Sequence, residues 1–367
     1  MISVRSCRRD WSCTTSTRTR WGLLIGKWRW NFGTRNHSRA GESMKLLDLY
    51  AKMKGDLNGI ERQLEQAVAE DTSLLGETSL HLLQAGGKRI RPVFVLLAGR
   101  FGDYRLEELQ RVAVTLELIH SASLVHDDVI DNARTRRGQP TVGSKWDNRI
   151  AMYTGDYIYA KALELITSFS NPELHQILAK AMVEMCIGEM EQVRDFFNTE
   201  QTVRNYLKRI RRKTALLIAI SCQLGAVAAG ADRRTSGQLY RFGYNIGMTF
   251  QIRDDLLDLL GTEKQIGKPP GSDIRQGNMT LPVLLALQEV GLREPLLREI
   301  AVIRENEGHS DTRSAIQLVR SSVGVGIAEQ MAERFMAKAL QALEGLPDLP
   351  AKKNLTDIAR FINKRSY

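Results

Sequence analysis

Three aspartates stand within five positions of the stretch LVHDDVIDNARTRRG, which covers residues 124 to 138. These acids are Asp127, Asp128 and Asp131. A second stretch, FQIRDDLLD at residues 250 to 258, repeats the spacing with Asp254, Asp255 and Asp258. On a helix, positions i, i+1 and i+4 project from one wedge of the surface, so each motif predicts a single carboxylate cluster.

Carboxylates this close together indicate that each cluster binds cations. At a few ångströms they repel by about 1 kcal/mol in water and by more at lower effective dielectric. Ligand sets made of oxygen favour a hard ion, and Mg²⁺ uses one or two carboxylates together with water and phosphate oxygens. The motifs therefore predict a magnesium site for a polyphosphate. Either motif alone could be a solvated acidic helix end, but their recurrence beside apolar helix argues against that interpretation.

Basic residues that suit a diphosphate occur in the stretches GGKRIRP and RRG and at two further positions. They are Lys88, Arg89, Arg91, Arg136, Arg137, Lys213 and Lys268. Arginine binds phosphate through paired hydrogen bonds, and lysine acts as a point charge. Taken singly, each of them is more often a solvated surface charge.

The elements that position these residues are predicted to be helices. From residue 44 onward nearly every segment has helical spacing, without a convincing strand, and prolines fall where helices should begin or end. The sequence predicts ten or more helices and no linker that divides them, so the fold class is all-α with a single domain over residues 44–367. The charge-free stretch 214–231 is rich in Ala and Gly, which favours a buried central helix over a membrane span.

The first 43 residues differ from the rest of the chain. They hold nine basic residues against two acidic ones and account for most of the net charge of +10. The nearly neutral remainder lacks the electrostatic footprint of a nucleic-acid binder. A transit peptide and a basic tail are alternatives, but we expect residues 1–43 to be a non-native leader or disordered basic extension, with Met44 as the true start.

Cys186 and Cys222, without a metal-type spacing, are predicted to be buried thiols in a reducing compartment.

Taken together, the motifs resemble those of the trans-isoprenyl diphosphate synthases. The shared stretches are GGKRIRP, HDDVID followed by RRG, GEMEQ at 188–192, RKTA at 212–215, FQIRDDLLD and GKPPGSD, within residues 84 to 282. The resemblance implies a helical bundle around a central cavity. It also implies an enzyme that condenses an allylic diphosphate, such as farnesyl diphosphate, with successive isopentenyl diphosphates to a long all-trans product. The six aspartates would hold Mg²⁺, three ions when substrate is bound, on the allylic diphosphate.

The resemblance assigns roles to individual residues. Arg136 would stabilise the departing pyrophosphate. Residues of the isopentenyl diphosphate pocket would be Lys88, Arg91, His120 and Arg137. Residues near the allylic cation and diphosphate would be Lys213, Thr214, Gln251 and Lys268. From its position alone His120 would be a core histidine, and Gln192 and Gln251 core-edge amides. The resemblance implies instead that His120 belongs to the pocket and that both glutamines face the cavity.

Two features of the late loop and the tunnel qualify the match. Many relatives have lysine where this chain has Asn278, so no phosphate role is carried to that position, while Asp273 remains a candidate outer metal or lid contact. In the family, residues one turn before the first motif line the tunnel for the growing chain. Ala122 and Ser123 are small, which predicts an open tunnel and a medium or long product. Close helix packing would also explain small residues there.

Longer stretches, among them MYTGDYIYAKALE, resemble the two-component branch of the family, which makes heptaprenyl diphosphate for menaquinone. This implies a heterodimer with a small non-catalytic component in the bacterial cytoplasm, no transmembrane segment, and scope for peripheral membrane contact during product release. Alternatives are a homodimeric octaprenyl or other long-chain synthase, a terpene cyclase, a non-catalytic regulatory subunit and, weakest, a nucleic-acid module. A cyclase usually lacks the second aspartate motif, and regulatory subunits tend to lose acids from one motif.

Overall fold

The structure is a computed structural model of the chain, and it describes residues 47–69, 73–266, 269–306 and 311–364. These residues belong to one compact unit. The predicted leader, residues 1–43, and the predicted site residue Lys268 lie outside the described residues.

Helical turns over residues 47–52 precede the numbered helices. In the first half of the chain these are α1 (Lys54–Ala69), α2 (Leu74–Gln84), α3 (Ile90–Gly99), α4 (Leu106–Ile130), α5 (Val142–Lys145), α6 (Asn148–Thr167) and α7 (Pro172–Arg194). In the second half they are α8 (Val203–Ile210), α9 (Leu216–Ala228), α10 (Arg233–Leu260), α11 (Glu263–Ile266), α12 (Ser272–Arg275), α13 (Leu281–Ala286), α14 (Val290–Glu305), α15 (Arg313–Ser321), α16 (Gly324–Glu344) and α17 (Pro350–Asn363). A π-helical turn (Arg211–Ala215) joins α8 to α9.

Helix α9 lies at the centre of the bundle. Twelve of its thirteen residues are buried, and it packs against α3, α4, α7 and α10. Gly225 permits one close approach, because a side chain there would collide with the carbonyl oxygen of Val95. The predicted buried central helix is thus confirmed. Over the residues that the structure covers, no helix is long and apolar enough to cross a membrane.

The two helices that carry the aspartate motifs both contact α9. Helix α4 packs mainly against α6 and α3, and α10 packs mainly against α16 and α9. On α10, Met248, Ile252 and Leu256 repeat at helical spacing and enter a buried apolar cluster. Burying such a side chain stabilises the fold by roughly 1.5–3 kcal/mol, so this apolar row fixes the rotation of α10 and with it the direction of the aspartates.

The all-α prediction is confirmed, but the prediction that the chain has no strand is wrong at one point. Strands β1 (Thr135–Arg136) and β2 (Gln139–Pro140) form a short antiparallel ladder. Arg137 and Gly138 between them have φ of 53° and 78°, as the favoured two-residue hairpin turn requires. Two residues per strand are too few to produce an alternating pattern in the sequence.

The prediction that both cysteines are buried is confirmed for Cys222 and wrong for Cys186. Cys222 is buried in α9, but Cys186 is exposed on α7. It shares the exposed side of that helix with Val183 and Met190, which are 61% and 68% exposed. Helical periodicity does not say which side of α7 faces the core and which faces the surface.

Candidate active site

The first acid cluster lies at the C-terminal end of α4. Asp127 is half-buried, Asp128 is buried, and Asp131 is the residue that ends the helix. Nε of Arg136 on β1 donates to Oδ1 of Asp128 at 2.6 Å, and Nη2 forms an ion pair with the same oxygen at 2.6 Å. Burial raises the pKa of Asp128 and Arg136 opposes that shift. A cation from the protein therefore already balances part of this cluster.

The two arginines of the hairpin after α4, Arg136 and Arg137, contact different parts of the site. Arg136 turns back to Asp128, whereas the guanidinium of Arg137 lies against Gly87 of the stretch GGKRIRP. A Cβ atom at Gly87 would come within 2.7 Å of Nη1 of Arg137. Glycine at this position thus allows the two basic segments to meet.

The second acid cluster lies near the end of α10. Asp255 and Asp258 are buried, while Asp254 is exposed. The carboxylate of Asp255 accepts hydrogen bonds from Tyr206 Oη and Gln251 Nε2, both at 2.7 Å. Burial, aided by the charge of Asp254, raises the pKa of Asp255 to about 7.

Asp258 ties the second cluster to the loop that follows α11. Its carboxylate accepts from Ser272 Oγ at 2.6 Å and from the backbone N–H of Asp273 at 3.2 Å. Asn278 donates its backbone N–H to the carbonyl of Asp273 at 2.8 Å and so closes the same loop. Position 278 therefore has a backbone role in shaping the loop around Asp273.

The π-helical turn connects the two clusters. Lys213 Nζ donates to Asp127 Oδ1 at 3.0 Å and to Glu189 Oε2 at 2.6 Å. The next residue, Thr214, donates from Oγ1 to Gln251 Oε1 at 2.7 Å, and Gln251 in turn binds Asp255. Two consecutive residues thus reach both aspartate motifs. π-turns often occur at functional sites because the extra residue redirects side chains.

Ion pairs hold the π-turn against α7. Arg212 Nε donates to Glu184 at 2.9 Å, and Arg211 Nη2 donates to the same carboxylate at 2.8 Å. Arg212 also pairs with Glu191. Close contact is possible because Gly188 lies against Cβ of Arg212. These contacts fix the backbone from which Lys213 and Thr214 project.

A group of basic side chains lies beside the first cluster. Nε of Arg91 is buried without a hydrogen-bond partner, and burial lowers the pKa of Arg91 to about 10. Burial, together with Arg91 and Arg137, holds the pKa of His120 well below its usual value, so its imidazole is neutral near pH 7. Lys88 is exposed. This concentration of positive charge with an unused buried donor suits an anionic ligand.

Arg89, between Lys88 and Arg91 in sequence, has a structural role. It is 3% exposed, and its guanidinium pairs with Glu61 on α1 and Glu117 on α4. It begins α3 with φ of 47°. The buried pair with Glu117 anchors the segment that carries the neighbouring basic residues.

The predicted tunnel residues lie one turn before the first cluster. Ala122 is fully buried, and Ser123 is half-buried with its hydroxyl donating to the carbonyl of His120 at 2.8 Å. Gln192 is half-buried on α7. On that helix Glu189 accepts the hydrogen bond from Lys213.

Sequence reasoning missed several residues that shape the site. Glu189 lies within the stretch GEMEQ, but a glutamate on an amphipathic helix looks like a surface residue. Tyr206 and Ser272 look like ordinary core and loop residues, and only their bonds to Asp255 and Asp258 distinguish them.

The donor chemistry fits Mg²⁺. Both clusters offer carboxylate oxygens, which this hard ion prefers. Within the described ranges, no group of three acidic, histidine or cysteine side chains is gathered closely enough to hold a metal by itself.

Comparison with known proteins identifies the family. A polyprenyl synthetase family model matches residues 72–319. Heptaprenyl diphosphate synthase component 2 of Geobacillus stearothermophilus is 52% identical over 324 residues, which are 88% of this chain and 100% of that relative. The chain therefore belongs to the polyprenyl synthetase family and is a trans-prenyltransferase.

Solved structures agree with this assignment. Heptaprenyl diphosphate synthase from Staphylococcus aureus matches with a TM-score of 0.78 and 40% identity, over 85% of this chain and 98% of the other. The polyprenyl synthase of Caulobacter crescentus CB15, in complex with calcium and isoprenyl diphosphate, matches with a TM-score of 0.81 and 32% identity, over 88% and 98%.

Proposed function

We propose that this chain is the catalytic component of a heptaprenyl diphosphate synthase that supplies the menaquinone side chain. It would extend an allylic diphosphate, such as farnesyl diphosphate, with successive isopentenyl diphosphates. The observation that carries the proposal is the hydrogen-bonded path from Asp127 through Lys213 and Thr214 to Gln251 and Asp255. This path links Asp127 of the first motif to Asp255 of the second, which supports a shared site, and the 52% identity favours the heptaprenyl product.

In this proposal each residue group handles one part of the reaction. The residues that would hold Mg²⁺ are Asp127, Asp128, Asp131, Asp254, Asp255 and Asp258. When bound, three such ions would withdraw charge from the allylic diphosphate and favour its departure. Lys213 and Arg136, and Lys268 by resemblance, would balance charge on the leaving pyrophosphate. Thr214 and Gln251 would orient Asp255.

The second substrate would occupy the basic group. Lys88, Arg91 and Arg137 would bind the diphosphate of isopentenyl diphosphate, and neutral His120 can donate one further hydrogen bond. The allylic C–O bond breaks, the isopentenyl double bond forms the new C–C bond, and a proton leaves the adjacent carbon. Small side chains at Ala122 and Ser123 would leave the tunnel open for a long product.

We propose a small non-catalytic chain as partner, with a homodimer as the alternative. Support comes from the name of the 52% identical relative, which is the second component of its enzyme. Exposed apolar side chains on α6 and α7 also support it, because a surface of this kind is typical of a protein interface. They are Met152, Tyr153, Leu163, Val183, Ile187, Met190 and Val193.

The decisive experiment measures the mass of the prenyl product. The chain is assayed alone and with component 1 of the Geobacillus enzyme, using farnesyl and isopentenyl diphosphates with Mg²⁺. We expect heptaprenyl diphosphate from the pair and little product from the chain alone. Octaprenyl diphosphate from the lone chain would overturn the two-component proposal in favour of a homodimeric synthase.

We further propose that residues 44–367 form the functional unit and that the enzyme is cytoplasmic. The family match begins at residue 72, beyond the basic segment. Deletion of residues 1–43 should leave the turnover of the complex unchanged. Loss of activity on this deletion would show that the segment is needed.

A further inference from the structure

Glu189 is an acid of the site that belongs to neither aspartate motif. It lies on α7, whereas Lys213 lies on the π-turn and Asp127 on α4. Lys213 Nζ stands between the two carboxylates, at 2.6 Å from Glu189 and 3.0 Å from Asp127. The three side chains are largely buried, with exposed fractions of 24%, 24% and 15% for Lys213, Glu189 and Asp127. One ammonium is thus shared between a metal-site carboxylate and an acid outside that site.

The shared position of Lys213 affects how available Asp127 is. An ion pair occupies a carboxylate lone pair that a divalent cation would otherwise use. Of the two contacts of the ammonium, the one to Glu189 on α7 is the shorter. If Glu189 lost its charge, Asp127 would be the remaining anionic partner among the bonds that Lys213 makes here, and their ion pair would strengthen.

Ion pairs of the two preceding residues hold the backbone of Lys213 against α7. Arg211 and Arg212, on either side of the turn, pair with Glu184, and Arg212 also pairs with Glu191. The backbone of Lys213 is therefore held against α7, with its ammonium within hydrogen-bond distance of both Glu189 and Asp127.

We propose that Glu189 is a positioning residue that draws Lys213 away from Asp127 and so keeps Asp127 available to a divalent cation. This inference rests on the proposed function, because it takes Asp127 as a magnesium ligand. The same arrangement leaves the ammonium beside the cluster, where it can turn to the diphosphate once the cation has taken Asp127.

The test is calorimetric titration of the full chain with Mg²⁺ in the presence of inorganic pyrophosphate, which needs no turnover. The variants are Glu189→Gln, Lys213→Gln and the double variant. Glu189→Gln should weaken Mg²⁺ binding about three- to tenfold. In the Lys213→Gln background the same change should alter binding by less than about twofold, because Glu189 acts through the lysine.

Two controls make the result specific. Glu173→Gln changes an exposed acid in the first turn of α7, so it tests general disturbance of this helix and should leave Mg²⁺ binding near the wild-type value. Glu189→Asp keeps the charge and should recover part of the affinity, which covers the case in which the glutamine variant folds poorly.

The outcomes separate this inference from the proposed function. An unchanged Mg²⁺ affinity in Glu189→Gln, or an equal loss with and without Lys213, would overturn it, since the second result would mean that the charge of Glu189 acts directly on the ion. Failure of the wild-type complex to make prenyl product would instead count against the proposed function. In kinetic assays of an active complex, Glu189→Gln should raise the Mg²⁺ concentration needed for half-maximal rate by a similar factor.

Discussion

The two aspartate clusters have the same spacing, but the fold neutralises them differently. At the end of α4, Asp128 pairs with Arg136 and Asp127 pairs with Lys213. In α10 the buried Asp255 has neutral hydrogen-bond donors, Tyr206 and Gln251. Identical sequence motifs thus lie in a cation-balanced site and in a hydrogen-bonded site.

The difference follows from where each motif lies in its helix. The first motif ends its helix beside a hairpin that carries arginines, so cations can reach it. The second lies inside the bundle, where burial raises the pKa of Asp255 to about 7. We infer that protein cations compete with metal at the first cluster and that protons compete with metal at the second.

The largest expected effect comes from breaking the first cluster. Asp128→Ala removes the partner of Arg136 and a proposed Mg²⁺ ligand, and kcat/KM of the complex should fall about a hundred- to thousandfold. Steady-state prenyl transfer provides the measurement. Asp103→Ala, at an exposed acid in the loop before α4, serves as the control. Unchanged turnover in Asp128→Ala would favour a regulatory subunit over a catalytic one.

A second prediction concerns stability and pH at the second cluster. The pKa of Asp255 is higher in the folded chain, so without metal the folded state binds more protons than the unfolded state between about pH 4 and 7. Stability from this group should therefore fall as pH rises to about 7 and then level off. In Asp255→Asn, the decrease in the free energy of unfolding between pH 5 and 8 should be smaller than in wild type by about 1–3 kcal/mol.

The measurement is denaturant unfolding in EDTA at several pH values. Asp254→Asn is the matched control, and it should keep most of the slope because burial is the largest cause of the shift at Asp255. A slope that is the same in wild type and Asp255→Asn would contradict the prediction.

A third, smaller effect is expected from Tyr206→Phe. The change removes the hydroxyl that donates to Asp255 and leaves that buried carboxylate with one donor fewer. The free energy of unfolding at pH 8 should fall by about 1–2 kcal/mol, and the pKa of Asp255 should rise further. Tyr153→Phe, at an exposed tyrosine of α6, should change neither quantity. Equal stability in the two variants would show that hydrogen bonds do not support the second cluster.

The smallest effect should come from Arg136→Lys. Lysine keeps the charge but cannot reproduce both guanidinium contacts with Asp128, the hydrogen bond from Nε and the ion pair from Nη2, so kcat/KM for the allylic substrate should fall about fivefold. Arg134→Lys is the control at an exposed position of the same segment. Should both variants match wild type, charge alone would account for the role of Arg136.

Much of this molecule was predictable from spacing and periodicity. Helical repeats gave the all-α fold, and the low charge of residues 214–231 gave the buried helix α9. The hairpin at 135–140 and the exposed face at Cys186 were not predictable, because one is too short for a pattern and periodicity does not say which side faces solvent. Glu189 and Tyr206 could not be found either, since contacts distant in sequence determine what they do.

The π-turn at Arg211–Ala215 has a consequence for how such a site could arise or be lost. It has the form of a regular helix that has gained one residue. Deleting one residue there would rotate the preceding side chains by about 100° relative to α9. Either the hydrogen bond from Lys213 to Asp127 or the one from Thr214 to Gln251 would then be lost. A one-codon deletion would therefore break the link between the two acid clusters while leaving all six aspartates in the sequence.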